Sequence, residues 1–435
     1  MDEGRVGMFH PSTKAFRFTI LIFVSLLTYG SYFAYDGLSA IAPILISSFE
    51  VTRAAFGATK TIYSVAAILC LLVGGILIDR IGTRRASLLF SSFIVLGAFF
   101  MAISRNIWML YVGMFFFGAG SETLIIAQSS IISRWFKGKE LALAFGLALT
   151  VSRLGSLFSY NTEALIVDYF GHYSYALWAG LIFCVLSLLS NVVYCLMDRR
   201  GEAVLGLEDG AVEEKIVLGD VKQFDASFWY VTLLCLTFYG AIFPFQHLAA
   251  DFFHDKWGIP LDAASGGGFF YQVFSNILHM FSTAPGIAGI IVFASMIFAP
   301  FAGSFVDRKG KRATLMIFGS LLMIPAHLLL GVTRINPVFM MIVLGGAFVL
   351  VPAALWPSIP LIIPKQRVGT AFGLMTMLQN IGLGFFPWIN GKLRDMSGDY
   401  TASQIMFASL GLLGLIFAIL LKRADARNNN VLENP

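Results

Sequence analysis

The chain of 435 residues reads as an all-α membrane protein of twelve transmembrane helices arranged as two six-helix pseudo-repeats. Three observations predict this. Charged residues make up 13% of the chain and hydrophobic ones 57%, whereas a soluble domain carries about 25% charged residues because its surface faces water. Apolar stretches of about 20 residues recur along the whole length, each enough to cross roughly 30 Å of hydrocarbon. Two sequence patterns also recur, at nearly the same offset, in the first and second halves of the chain.

The first apolar stretch begins near Phe16 and runs to about Phe49 without a small-residue cleavage pattern, so it reads as a retained helix and not a removable signal. The predicted spans are 16–46, 54–78, 86–104, 107–133, 141–167, 173–197, 228–250, 286–306, 314–332, 337–362, 368–391 and 402–421. Internal prolines (Pro43, Pro244, Pro300, Pro325, Pro352, Pro357 and Pro387) fit membrane helices, where neighbours re-satisfy the freed backbone groups.

Lysine and arginine alternate from loop to loop. Twenty-two fall on the side of the chain ends, six (Arg53, Arg105, Lys256, Arg334, Lys392, Arg394) on the other, and Lys60 and Arg153 inside spans. By the positive-inside rule both termini are expected in the cytoplasm. The formal charge of +5 is thereby topological, and no nucleic-acid partner is expected. Cys70, Cys184, Cys195 and Cys235 all lie in spans without metal-type spacing, and read as packing residues. No cofactor and no metal are called for.

The stretch following the sixth span, with Asp198-Arg199-Arg200 and Glu213-Glu214-Lys215, is the longest polar connection. It divides the chain into a first half over 1–197, a cytoplasmic linker over 198–227, a second half over 228–421 and a cytoplasmic tail over 422–435. After helix two stands Gly75-Ile-Leu-Ile-Asp79-Arg80-Ile-Gly82-Thr-Arg84-Arg85; after helix eight stands Gly303-Ser-Phe-Val-Asp307-Arg308-Lys-Gly310-Lys-Arg312. The aspartates are 228 residues apart. Lys137-Gly-Lys139…Ala144-Phe145-Gly146-Leu147 and Lys365-Gln-Arg367…Ala371-Phe372-Gly373-Leu374 repeat at an offset of 227. A parallel duplication of this kind is a transporter architecture. In the loop pattern the leading glycine lets helices approach closely, the aspartate can pair with a cation or cap a helix end, and the arginines hold the loop in place. Asp79, Arg80, Arg84, Asp307, Arg308 and Arg312 are therefore candidate gating residues, locking the halves in one state and releasing them in the other.

Between helices seven and eight lies an insert over 266–285, with Gly266-Gly267-Gly268 and then Phe269, Phe270, Tyr271, Phe274 and Phe281. Its apolar run is too short to span. It is expected to lie in the interface on the outer face, aromatics at headgroup level.

Enzyme constellations are absent: there is no H-E-x-x-H, G-x-S-x-G or P-loop pattern. The informative residues are intramembrane charges, each costing several kcal/mol unless it meets a partner or a wet cavity. Asp36 lies past the middle of helix one, Glu122 in the middle of helix four and Arg153 in the middle of helix five. Glu122 and Arg153 fall about 20 Å from the same membrane face, at about 1.5 Å per residue. They form either a substrate site or a mutually neutralising pair, and Asp36 either joins that site or marks a helix break. Tyr29, Tyr32 and Asp36 share one face of helix one at i, i+3, i+7 spacing. Around them stand Tyr63, Gln128, Tyr239, Trp356, Gln379 and Asn380, the last two being buried amides in need of partners. Lys60 either snorkels outward or charges a vestibule, and His247 and His279 read as interfacial. Two acids and one arginine suit a zwitterion, the carboxylates receiving an ammonium group and Arg153 clamping a carboxylate.

The doubled G-x-[LF]-x-D-R-x-G-x-[RK]-R loop resembles that of the major facilitator superfamily. Gly30-Ser31-Tyr32-Phe33-Ala34-Tyr35-Asp36, Gly120-Ser121-Glu122, Ser152-Arg153-Leu154-Gly155-Ser156, Phe243-Pro244-Phe245, Ala354-Leu355-Trp356-Pro357 and Gln379-Asn380-Ile381-Gly382-Leu383 resemble its branch of lysosomal dipeptide uniporters. The resemblance implies dipeptide movement by alternating access, Glu122 receiving the peptide's amino terminus and Arg153 its carboxylate. Lys60, the insert and a short N-terminus without a dileucine signal depart from that pattern, the last pointing to a bacterial-type cell membrane. The expectation is a transporter of dipeptides or similar zwitterions, uniport or proton-coupled, acting as a monomer in the bilayer. Its rivals are a small organic-anion (carboxylate) exchanger and a transport-dead sensor.

Overall fold

The structure is a computed structural model that describes residues 10–136, 140–205, 221, 223–263, 266–364 and 367–434. Long apolar helices account for nearly all of it. Eleven described helices are long and apolar enough to cross a membrane. The twelfth predicted span is also a helix, Val368–Ser397 of 30 residues. It falls short on apolarity because it carries Gln379, Asn380 and Asn390 within its length and Lys392, Arg394 and Asp395 at its end.

Helix one starts at Lys14, where the Thr13 hydroxyl caps the Phe16 amide, breaks at Thr28 and resumes as Tyr29–Ala40. Helices two and three run as Arg53–Ala102, interrupted at Gly82 (φ 80°, ψ 157°). Helices four, five and six are Ile107–Phe136, Leu141–Phe170 and Ser174–Leu205. The second half contributes Ala226–Trp257 as helix seven, Ala284–Ala288 with Ile290–Lys309 as helix eight, and Arg312–Val332 as helix nine. Pro337–Ile362, Val368–Ser397 and Thr401–Arg427 complete it as helices ten to twelve. With twelve crossings, both chain ends lie on one side, the terminal side; the other is the distal side.

The repeated loops explain their own glycines. Gly82 and the matching Gly310 (φ 66°, ψ −112°) both take backbone angles that a side chain disfavours. The leading glycine behaves otherwise than expected. A Cβ on Gly303 would meet nothing within 4 Å, so no helix is drawn close there in this state.

Helix six continues eight residues beyond its predicted end, to Leu205. Asp198, fully buried, explains this: Arg134 and the Trp135 indole (2.6 Å) both donate to its carboxylate, which holds the polar end against helix four. The rest of the linker lies outside the described residues, apart from 221 and 223–227.

The insert forms the short helix Phe269–Leu278. Phe270, Tyr271, Phe274 and Leu278 are exposed, while Asn276 is buried and donates to the Asn161 carbonyl of helix five at 2.5 Å. This amphipathic arrangement matches a helix lying at an interface.

The halves meet mainly where helix two packs on helix eleven. Lipid supplies no hydrophobic drive between helices, so close backbone packing has to hold them. Glycine makes it available: a Cβ on Gly57 would stand 2.3 Å from the Pro387 carbonyl oxygen, and one on Gly391 2.2 Å from that of Arg53.

Candidate substrate site between the halves

Glu122 and Arg153 lie 14 and 12 residues from the terminal-side ends of their helices, or about 20 Å deep. They are not an ion pair: no contact within 4.0 Å joins them. Glu122 instead accepts a hydrogen bond from the Tyr63 hydroxyl (3.0 Å). The Arg153 guanidinium lies between two rings, 5.6 Å from the centre of Tyr32 on helix one and 5.4 Å from Phe348 on helix ten. Cation–π contacts of this kind hold a guanidinium without using its donors. An acid and a base thus stand at one depth in the first half, each positioned by aromatics.

The second half offers a wall of rings. The Trp356 indole donates to the Tyr239 hydroxyl (2.8 Å), Tyr239 stacks on Phe243, and Phe348 meets both edge-on. The Asn380 amide donates to the Thr376 carbonyl within helix eleven, leaving its buried carbonyl oxygen without a partner; Gln379 beside it is half-buried.

Lys60 neither snorkels nor opens onto a vestibule. Buried to 2% exposure, it folds back on helix one, donating to the Tyr35 carbonyl (2.9 Å) with its ammonium over the Tyr35 ring. Asp36, also buried, shares with it a cavity of about 10 Å³, room for about one water. Gln128 is engaged elsewhere. Its amide donates to the Val24 carbonyl (2.7 Å) and the Thr28 hydroxyl (3.2 Å), bridging helix four to the break in helix one.

Among the described residues, the repeated loop motifs bond within their own halves. Arg84 binds Glu202 and approaches Asp198 (3.5 Å), both on helix six. Arg80, Asp307 and Arg308 are exposed, and the side chain of Asp79 lies outside the described residues. Arg312 is buried by the chain's own tail, donating to the Asn434 carbonyl (2.8 Å), while the Glu433 carboxylate accepts from the Thr314 amide (2.9 Å). That docking was not foreseen from the sequence, which showed only a short polar tail.

On the distal side the halves are bonded to each other. Arg53 forks onto Asp251 (2.5 and 3.1 Å), which also accepts from Tyr400. Asp395 accepts from the amides of Arg53 and Ala54 (3.0 and 2.8 Å), capping helix two with a carboxylate from helix eleven. The Thr61 hydroxyl donates to the Gly384 carbonyl (2.6 Å). His247, expected at the interface with lipid, is instead 2% exposed between the halves. Asp251 and Glu163 were missed; Glu163 is 2% exposed with one carboxylate oxygen unpartnered. Both lie inside or beside predicted spans, so a full count of ionisable residues there would have found them.

A bundle of twelve membrane helices in two six-helix halves, with charges held inside the spans, has the architecture of a membrane transporter. Residues 21–286 and 263–434 match the Major Facilitator Superfamily, and the chain belongs to that family. It is 32% identical over 437 residues to the human (Homo sapiens) lysosomal dipeptide transporter MFSD1, covering 97% of this chain and 89% of that protein. Against the Danio rerio protein of the same name the identity is 31%, over 95% and 88% of the two chains. Among solved structures, the nucleoside transporter NupG superposes with a TM-score of 0.70 at 13% identity, covering 92% of this chain and 98% of that one. A POT family transporter in complex with 5-aminolevulinic acid gives 0.70 at 15% identity, over 94% and 96%. At such identities the structures speak for the fold alone.

Proposed function

We propose that this transporter carries dipeptides or similar small zwitterions by alternating access, by uniport or with a coupled proton. Glu122 receives the ammonium end and Arg153 the carboxylate, while Tyr63 and Tyr32 hold the two charges in place. Asp36 adds negative charge on the same face of helix one, and the ring wall of Tyr239, Phe348 and Trp356 closes from the second half. The observation that carries this reading is the separation of Glu122 from Arg153: two opposite charges at one depth, unpaired, each with donors or acceptors left for a ligand. Burying charge without such a use costs several kcal/mol. The 32% identity to a protein described as a lysosomal dipeptide transporter supports the substrate class. The excess of Lys and Arg on the terminal side supports cytoplasmic termini, and we place the protein in a bacterial-type cell membrane as a monomer, each chain holding both halves.

Counterflow in proteoliposomes tests the substrate. Labelled dipeptides should exchange, and both Glu122→Gln and Arg153→Ala should abolish the exchange. Exchange of small dicarboxylates alone, surviving Glu122→Gln but lost in Arg153→Ala, would replace the zwitterion with an organic anion.

A further inference from the structure

His247 of helix seven crosses from the second half into the first. Its Nδ1 lies 2.9 Å from the Ser39 hydroxyl and its Nε2 3.3 Å from the Thr59 hydroxyl. The ring stacks on Phe56 at 4.8 Å with 9° between planes. Thr59 donates its own hydrogen to the Phe56 carbonyl (2.7 Å), so towards the ring it can only accept. Nε2 therefore carries the hydrogen, and Nδ1 accepts from Ser39. These are the bonds of a neutral imidazole.

The charged and titratable groups around the ring are few. Asp36 and Tyr35 on helix one, Lys60 on helix two and Tyr160 on helix five line one small cavity with His247 and Gln246. Leu383 and Pro387 are the lining residues from helix eleven, both apolar. Helix eight presents Ala288, whose carbonyl accepts from Gln246 (3.3 Å). Asp251, one turn further along helix seven, is occupied by Arg53 and Tyr400. Glu163 lies against Gly37 on the far face of helix one's contact with helix five. Within the cavity Asp36 supplies the carboxyl group and Lys60 the amine, whose ammonium is held by Tyr35. A second cation would sit beside Lys60 with room for about one water, and Ser39 would have to turn its hydrogen away.

We propose that His247 is a proton-binding site that controls the distal gate: the neutral ring holds the halves together, and protonation parts them there. Closure and protonation oppose each other, so acid favours the distally open form. The device borders the proposed substrate site at Asp36, which lines the same cavity, but it can be read without any substrate.

The test uses the full chain with its four cysteines replaced and spin labels at exposed distal positions, Arg105 in the first half and Asn336 in the second. Label distances are measured at about pH 7.5 and about pH 5.5, on either side of the ordinary histidine range. Acid should enrich the long-distance population, with a limit of about tenfold per pH unit for one linked proton. His247→Gln should stay short at both pH values and His247→Lys long at both. Ser39→Ala, which removes the donor to Nδ1, should move the opening midpoint to higher pH. Distances that ignore pH in the unaltered chain overturn the proposal, as does a pH shift that persists in His247→Gln or a midpoint unmoved in Ser39→Ala.

Discussion

At the distal end, polar side chains reach across to the opposite half; at the terminal end, the same kinds of side chain turn back on their own. Arg53 and Asp251 come from helices two and seven, and Asp395 caps helix two from helix eleven. Arg84, Arg134, Asp198 and Glu202 all lie on helices three, four and six, and Arg312, Thr314 and Glu433 on helix nine and the tail. Both ends are rich in charge, so charge alone does not join the halves. The difference lies in the backbone. Gly57 and Gly391 let helices two and eleven touch distally, whereas Gly303 has no neighbour within 4 Å at the terminal end. Where backbones meet, short polar links across the seam become geometrically available.

The largest expected effect comes from blocking that touch. In Gly57→Leu the side chain begins 2.3 Å from the Pro387 carbonyl, and helix two must move away from helix eleven. Transport should be lost, because the atom in the way belongs to the backbone and cannot swing aside as the end of a side chain can. The label pair described above should report long distal distances at every pH. Short distances with intact transport would show that the glycine contact is dispensable.

Next in size is a matched pair of charge removals. Asp251→Asn takes a carboxylate from Arg53, and Asp198→Asn takes one from the buried Arg134. Breaking a buried pair costs about 3–5 kcal/mol, discounted at Arg53 to about 2 because its side chain is 25% exposed. Asp251→Asn should bias the distal distances towards open with little change in melting temperature. Asp198→Asn should lower the melting temperature and leave the distal distances alone. If the two variants behave alike, the assignment of one pair to the gate and the other to a half is wrong.

The smallest effect is expected at Glu140, on the terminal-side surface before helix five. The hydrogen bond from Lys14 and the nearby Arg17 hold its carboxyl below the ordinary range. A depressed carboxyl contributes above its unfolded value, near 4.5, and loses that contribution as pH falls through the lower folded value. Hydrogen exchange in the first turn of helix one should therefore quicken below about pH 4.5, and Glu140→Gln should remove that pH dependence. Lys14 and Glu140 stand at the surface, where solvent screens the pair, so global stability should not follow it.

Much of the candidate site was legible because depth in a membrane helix is a matter of counting. Glu122 and Arg153 were placed at one level from residue number alone, and counting 14 and 12 residues from the observed helix ends gives a similar level. What counting does not reveal is orientation around the helix axis. Gln128, on the same helix as Glu122, turns to the Val24 carbonyl. Lys60 turns back to Tyr35. His247 sits near a span end, where an interfacial histidine is ordinary, and only the packing of helix seven against helices one and two buries it.

Run length and the 228-residue echo of the Asp79 loop in the Asp307 loop determined the twelve helices and the duplication, because crossing hydrocarbon is a local requirement on each segment. Only the tertiary structure decided which charges are partners. Ser39 and His247 are 208 residues apart, Arg53 and Asp395 342, and Thr314 and Glu433 119. Contacts at such separations depend on how folded helices are set against one another, within a half or between the two, and the spacing of residues along the chain carries no record of it.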